Sequence, residues 1–241
     1  MVKVNIIASV FNSDEFLEGY FIDITSQTIF SECALTLVAP NPSEKLRKIV
    51  EIYQKKFSNI KLISLSEDPG ISECLNTALR VVNSEYVTIA NVDDRHRSDF
   101  LEQLSLALDL NPECGVAYAP SFLSRTPNET FILRVSSQLY PCYEVDGLKS
   151  LLQHNSPHCC PFWRRSLNDD FGLFDTSLRT AADGDMWMKM AAGGVKFKMV
   201  PEPMSIYYFN PNGQSTNSKS ADYRRSEEAS VKLRYARLAN E

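Results

Sequence analysis

The chain has 241 residues, 25 Lys and Arg against 30 Asp and Glu for a formal charge of −5, and a hydrophobic fraction of 44%, enough for one sizeable domain with a packed core. The acidic balance argues against a nucleic-acid partner, no apolar run approaches the ~18 residues that cross a bilayer, and the stretch from Val4 to Phe11 reads as a strand rather than a secretory leader. Six scattered cysteines (Cys33, Cys74, Cys114, Cys142, Cys159 and Cys160) lack CxxC spacing and read as reduced thiols of a cytosolic protein, not a disulfide framework.

Val4 to Val10 is apolar and β-branched, the pattern of a buried parallel strand. Ser13 is placed to cap a helix whose stripe is Phe16, Leu17, Tyr20, Phe21 and Ile24. Ala34 to Val38 is a second strand, and Ser43 opens a helix carrying Leu46, Ile49, Val50 and Tyr53. Ile60 to Leu65 is a third strand, followed after Gly70 by a helix with Ile71, Leu75, Ala78 and Leu79 inward. Tyr86 to Ala90 is a fourth strand, and Ser98 opens a helix with Phe100, Leu101, Leu104 and Leu108 inward. This alternation predicts a parallel sheet with helices on both faces. Such sheets bind ligands beyond the carboxyl ends of their strands. The second half is less regular. Cys114 to Pro120, Thr130 to Val135 and Val195 to Val200 read as strands, and Leu139 to Pro161 as loop. Asp183 to Ala192 reads as a helix ended by Gly193 and Gly194. Ser218 to Glu241 is charged and helix-prone, the pattern of a solvated terminal helix.

Two segments carry candidate chemistry. In Ala90-Asn91-Val92-Asp93-Asp94 a strand ends in adjacent carboxylates, hard ligands able to hold Mg²⁺ or Mn²⁺ beside a diphosphate. The alternative is that one of them caps the next helix. Asp183 precedes Met186 and Trp187 by three and four residues, so it shares their inward face and can take a proton from a bound hydroxyl. The alternative is a capping box of Thr180 with Asp183. His154, His158, Cys159 and Cys160 lack the second ligand pair of a zinc site. His96 reads as an exposed helix-start residue, its neighbours Arg95 and Arg97 able to meet phosphate. No GxSxG, P-loop or GxGxxG is present.

Taken in order, these segments resemble the family 2 glycosyltransferases of the GT-A fold, over about residues 4 to 216. The run Val4 to Asn12 is similar to the family's first strand and its Pro-x-Tyr-Asn-like turn. Gln27-Thr28 matches the Gln-Thr at the end of its first helix. Pro69 to Asn76 looks like its Gly-x-x-x-x-x-Asn segment, and Ala90 to Asp94 sits where its Asp-x-Asp metal motif belongs. Phe174-Asp175 followed by Ala182 to Lys189 resembles the Glu-Asp-x-Asp-Leu-Trp-Leu-Arg segment that carries the catalytic base.

The resemblance implies an α/β fold of the GT-A, Rossmann-like kind, with a mixed, mostly parallel central sheet flanked by helices. It implies one domain over residues 1–216, with a nucleotide-binding half to about residue 95 and an acceptor half beyond it. A helical extension then covers 217–241. The implied reaction is inverting transfer from a nucleotide-diphosphate sugar, with a divalent cation (Mn²⁺ or Mg²⁺) as cofactor, Asp93 and Asp94 as its ligands and Asp183 as general base. The resemblance places Ser9, Val10, Phe11, Asn12, Ala39, Gly70, Asn76, Asn91 and Val92 on the nucleotide sugar, and Asp185, Trp187 and His158 on the acceptor side. It implies a hydroxyl acceptor on a glycan, a lipid-linked carrier or a small molecule, no nucleic acid, and a cytoplasmic enzyme of polysaccharide biosynthesis, with peripheral contact at the inner membrane face left open.

The chain also departs from the pattern. Ala39 stands where the family has a nucleobase-contacting Asp, and Asn91 where it has a ribose-contacting Asp. Ser9 replaces a Pro, Ala182 a Glu, and Asn210 a His or basic residue near the diphosphate. Ala39 and Asn91 motivate an alternative, a glycosyltransferase-like nucleotide- or sugar-binding module without turnover. A sugar-phosphate nucleotidyltransferase lacks its Gly-rich basic loop after the first strand.

Overall fold

The apolar runs of the first half become β1 (Val2–Ser9), β2 (Cys33–Pro40), β3 (Ile60–Leu65) and β4 (Ser84–Ile89), joined by α1 (Leu17–Thr25), α2 (Glu44–Gln54) and α3 (Ile71–Leu79). The structure, a computed structural model, describes residues 2–240. These strands pair in parallel in the order β3-β2-β1-β4. Because side chains alternate along a strand, Val4, Ile6 and Ala8 pack against α1 and α2 on one face, while Ile7 meets α3 on the other. Ser43 caps α2 as its position predicts, accepting the Leu46 N–H at 3.0 Å. Ser13 does not cap α1: its hydroxyl donates to the Phe11 carbonyl at 2.7 Å, and the helix begins at Leu17 without a side-chain cap.

The chain continues through β5 (Arg95–His96), α4 (Phe100–Asp109), β6 (Cys114–Tyr118), β7 (Ser121–Ser124), α5 (Leu148–Gln153), β8 (Phe162–Arg164), α6 (Leu167–Phe171), α7 (Ala182–Ala192), β9 (Lys196–Met199), β10 (Ser205–Tyr208) and α8 (Ala221–Tyr235). β8 inserts antiparallel between β4 and β6, and β9 extends the sheet to the order β3-β2-β1-β4-β8-β6-β9. The central sheet is therefore mixed and mostly parallel. A second sheet, β5-β10-β7, stands at the carboxyl end of β4. The α7 helix stops in a Schellman motif: Gly194 takes φ +84°, its N–H donates to Ala191 O, and Val195 N–H donates to Met190 O.

Three expectations change. Thr130 to Val135 forms no strand; Ile132, Leu133 and Val135 are exposed at 88%, 79% and 86%, and no ladder takes up their backbone. α8 is docked along one edge, where Glu227 and Val231 are buried against α7 and α5, while most of its other residues stay exposed as the charged pattern predicts. Glu241 lies outside the described residues. Asn76 is buried rather than open to a nucleotide. Its amide donates to Phe174 O at 2.9 Å and accepts Phe174 N–H at 2.9 Å, tying α3 to the segment that leads to α7.

Truncating this tether strands two buried backbone groups. Asn76→Ala is expected to cost about 2–4 kcal/mol, read as a lower urea midpoint at unchanged slope; an unchanged midpoint would show that the tether does not matter.

Candidate active site

Beyond the carboxyl ends of β1 and β2 lies a cleft of about 350 Å³, lined by Val10, Asn12, Asp14, Pro40, Asn41 and Ser43 among others. Asn12 and Asn41 both take left-handed backbone, at φ +49° and +43°, which turns each strand end sharply at the rim. Phe11 is half exposed, while the Val10 N–H stays in the sheet, donating to Val38 O at 2.9 Å. Ser9 closes β1 beside Cys74 on α3. Gly70, at φ +90°, heads α3, and its N–H donates to the Asp68 carboxylate at 2.9 Å. Besides Asn76, two more of the residues expected on the nucleotide sugar are sealed. Ala39 is fully buried, so Pro40 and Asn41 line the cleft in its place, and Val92 is buried with its carbonyl taken by Arg95.

The acid pair after β4 divides. Asp94 is buried, and its two oxygens accept the Tyr208 N–H at 2.9 Å and the Asn91 amide at 3.2 Å. Asp93 accepts the Asn210 amide at 3.3 Å. Burial raises the pKa of both acids, and the neighbouring Asp93 charge raises Asp94 further. A hard-oxygen pair held up by burial and mutual repulsion suits a divalent cation. Among the described residues no third His, Cys, Asp or Glu joins it, so the protein offers a partial ligand set. Asp93 is the less buried member of that pair, and Asp94 works as a brace.

The Asp183 carboxylate, a quarter exposed, sits in the first turn of α7. Its Oδ2 accepts the Asn155 amide at 2.8 Å and lies 3.3 Å from His158 Nδ1. Burial favours the neutral acid, but His158, Asn155 and the Gly184 N–H outweigh it and hold Asp183 below its ordinary range. Burial likewise disfavours the charged imidazole, but Asp183, Asp94 and Glu228 outweigh it and raise His158. Thus the capping-box alternative is not realised: Asp183 faces His158 and Asn155, and the Thr180 hydroxyl donates to Glu227.

One strand connects the two acids. In β10 and just beyond it, the Tyr207 ring lies 5.4 Å from His158, the Tyr208 N–H holds Asp94, and Asn210 reaches Asp93. Two acceptor-side expectations fail. Trp187 is fully buried against Trp163 at 5.5 Å, and Asp185 is buried and bonded to Arg234 and Tyr235. Only His158 of that group stays beside Asp183. His96 is also buried rather than exposed, held by Asp23 at 2.9 Å, and Arg95 is spent on the carbonyls of Val92, Asp94 and Phe16 rather than free for phosphate. Asn155 and Tyr207 carried no sequence signal, since each owes its place to loop geometry or to a four-residue strand.

The chain belongs to glycosyl transferase family 2, whose model matches residues 5–171. That match ends before α7, so it covers the acid pair and not Asp183. The chain is 24% identical over 217 residues to the uncharacterized glycosyltransferase EpsJ of Bacillus subtilis, covering 87% of this chain and 62% of that protein. Its fold is shared with S. aureus TarS 1-349 in complex with UDP-GlcNAc (TM-score 0.74, 19% identity, 90% of this chain and 61% of that one). It is shared as well with the mannosyltransferase PcManGT from Pyrobaculum calidifontis in complex with GDP-Man and Mn²⁺ (TM-score 0.70, 17% identity, 99% and 64%). The chain thus spans less than two thirds of each of these proteins. The GT-A architecture expected from the sequence is the one observed.

The pair has a defined pH signature. Asp183, lowered, stabilises the fold above its ordinary pKa of 3.8, and this is lost as the pH falls through the folded-state value. His158, raised, stabilises below its ordinary 6.5, and this is lost as the pH rises through the folded-state value. Both contributions coexist between 3.8 and 6.5. The stability gap between wild type and His158→Gln is therefore expected to be wider at about pH 5 than at about pH 9 by urea denaturation; a gap independent of pH would contradict the pairing.

Proposed function

We propose that the chain transfers a sugar, with inversion, from a nucleotide-diphosphate sugar to an acceptor hydroxyl. The observation that carries this reading is the junction at β10, where one strand touches the surroundings of both Asp93 and Asp183. The nucleoside fits the cleft beyond β1 and β2, where Val10 and Asn12 contribute to the lining and the neighbouring Phe11 ring is exposed, and we assign Asn91, whose amide donates to Asp94, to the ribose. Asp93 would hold Mn²⁺ or Mg²⁺, which supplies positive charge for the leaving diphosphate when bound.

Asp183 takes the proton of the acceptor hydroxyl as that oxygen attacks the anomeric carbon. The carbon's bond to the diphosphate breaks on the opposite face, and the electron pair leaves with the phosphate oxygen. His158 and Asn155 keep Asp183 ionised and oriented, so the base is ready near neutral pH. The neighbours solved with UDP-GlcNAc and with GDP-Man and Mn²⁺ support a nucleotide-sugar donor and a cation. No helix among the described residues is long and apolar enough to cross a membrane. On its free cysteines we assign the enzyme to the cytoplasm, with a glycan, lipid-linked or small-molecule acceptor and peripheral contact at the inner membrane face left open.

Asp183→Asn is expected to lower turnover about 10²–10⁴-fold while leaving UDP and GDP affinity intact by calorimetry. Asp93→Ala is expected to abolish the Mn²⁺-dependent part of that affinity. Normal turnover in Asp183→Asn would remove the base assignment. Nucleotide binding without turnover in the wild type would favour a binding module.

A further inference from the structure

We infer that Glu227, on the terminal helix α8, positions the Asp183 carboxylate. The inference deepens the transferase reading and rests on it for its catalytic consequence. Glu227 is buried and accepts five hydrogen bonds: from the N–H groups of Arg179, Thr180 and Ala181 at 2.9, 2.6 and 2.9 Å, the Thr180 hydroxyl at 2.7 Å and the Tyr223 hydroxyl at 2.7 Å. Four of these donors belong to the turn that leads directly into α7. Burial by itself would raise the Glu227 pKa, but these donors outweigh it and keep the carboxylate ionised.

The arrangement supplies what α7 lacks. Its N-cap residue is Ala181, which has no side chain to cap with. A helix start normally recruits a nearby Ser, Thr or Asp, and Asp183 is the nearest acid. Glu227 ties down the entering backbone from another helix, so Asp183 is free to bond Asn155 and His158. α8 is fixed in register by Val231 in the core and by Arg234 and Tyr235, which reach Asp185 at 3.2 and 3.0 Å. The turn is also held from the opposite side, where the Gln214 amide donates to Arg179 O at 2.7 Å. A misplacement of about 1 Å at a reacting group can cost 10²-fold in rate, so a turn fixed this firmly bears on turnover as well as on folding.

His158 reports the Asp183 position without any assay of activity, because Asp183 is its hydrogen-bonded partner, with Asp94 and Glu228 the other acids acting on it. The test is an NMR titration of the His158 ring in the full chain, for wild type, Asp183→Asn, Glu227→Gln and Thr180→Ala. It is paired with UDP calorimetry and with Mn²⁺-supported hydrolysis of UDP-GlcNAc and GDP-Man. Asp183→Asn is expected to move the His158 midpoint to lower pH. Glu227→Gln, with cooperative melting, is expected to move it the same way by less, and to lower hydrolytic kcat about tenfold to a hundredfold at unchanged UDP affinity. If Glu227→Gln does not fold, Thr180→Ala carries the test, with a smaller displacement in the same direction. A His158 midpoint that stays at the wild-type value in the folded variant, or that ignores Asp183→Asn, overturns the inference. Displacement of the midpoint in the variants, with a wild type that hydrolyses neither donor, would leave Glu227 as the positioning residue and remove the transferase reading.

Discussion

The buried Asp94 carboxylate is the joint that ties the surroundings of Asp93 to those of Asp183. It lies at the carboxyl end of β4 and accepts the backbone N–H of Tyr208 at the end of β10. Burying an acid is costly unless its oxygens are bonded, and here both are. β5 follows directly and pairs with β10 through Ser205–His96 and Ile206–Arg95, so side chain and backbone act at the same junction. From this junction Tyr207 reaches the His158 ring and Asn210 reaches Asp93. Two carboxylates that lie 90 residues apart in sequence (183 − 93) are thereby brought to one region.

Two acid pairs, Asp93 with Asp94 and Asp183 with Asp185, divide their labour. Asp94 is spent on structure while Asp93 accepts the neutral amide of Asn210. Asp185 is spent on Arg234 and Tyr235 while Asp183 meets His158 and Asn155. In both cases the structural acid lies nearly sealed and its partner keeps some exposure. A buried carboxylate with satisfied bonds can fix the backbone from which the functional one projects. Glu227 extends this logic to the start of α7.

Much of this was legible in the sequence, for identifiable reasons. The first four strands and the helices between them carry long, regular apolar patterns, and those patterns alone place the cleft at the carboxyl ends. The α7 helix is bounded by Asp183 and by a double glycine, both strong local signals. The short strands were harder to read. β5, β8 and β10 have two, three and four residues, too few for alternation to show. His96 and Trp187 show a second limit. A polar ring between two arginines reads as exposed, yet Asp23 on α1 satisfies it in the interior, and Trp163 covers Trp187 from a strand 24 residues away (187 − 163). Such partners are set by tertiary contact, which no local pattern records. The role of α8 was hidden in the same way, since its docking rests on one acid and one valine in a charged sequence.

A crystal structure of the full chain with Mn²⁺ and a panel of sugar nucleotides is the most direct test. The diphosphate and cation are expected beside Asp93, the nucleoside in the cleft beyond β1 and β2, and the anomeric carbon between Asp93 and the Asp183 carboxylate, with room there for a hydroxyl. A nucleotide ordered away from Asp93, or a sugar that Asp183 cannot approach, would contradict this arrangement.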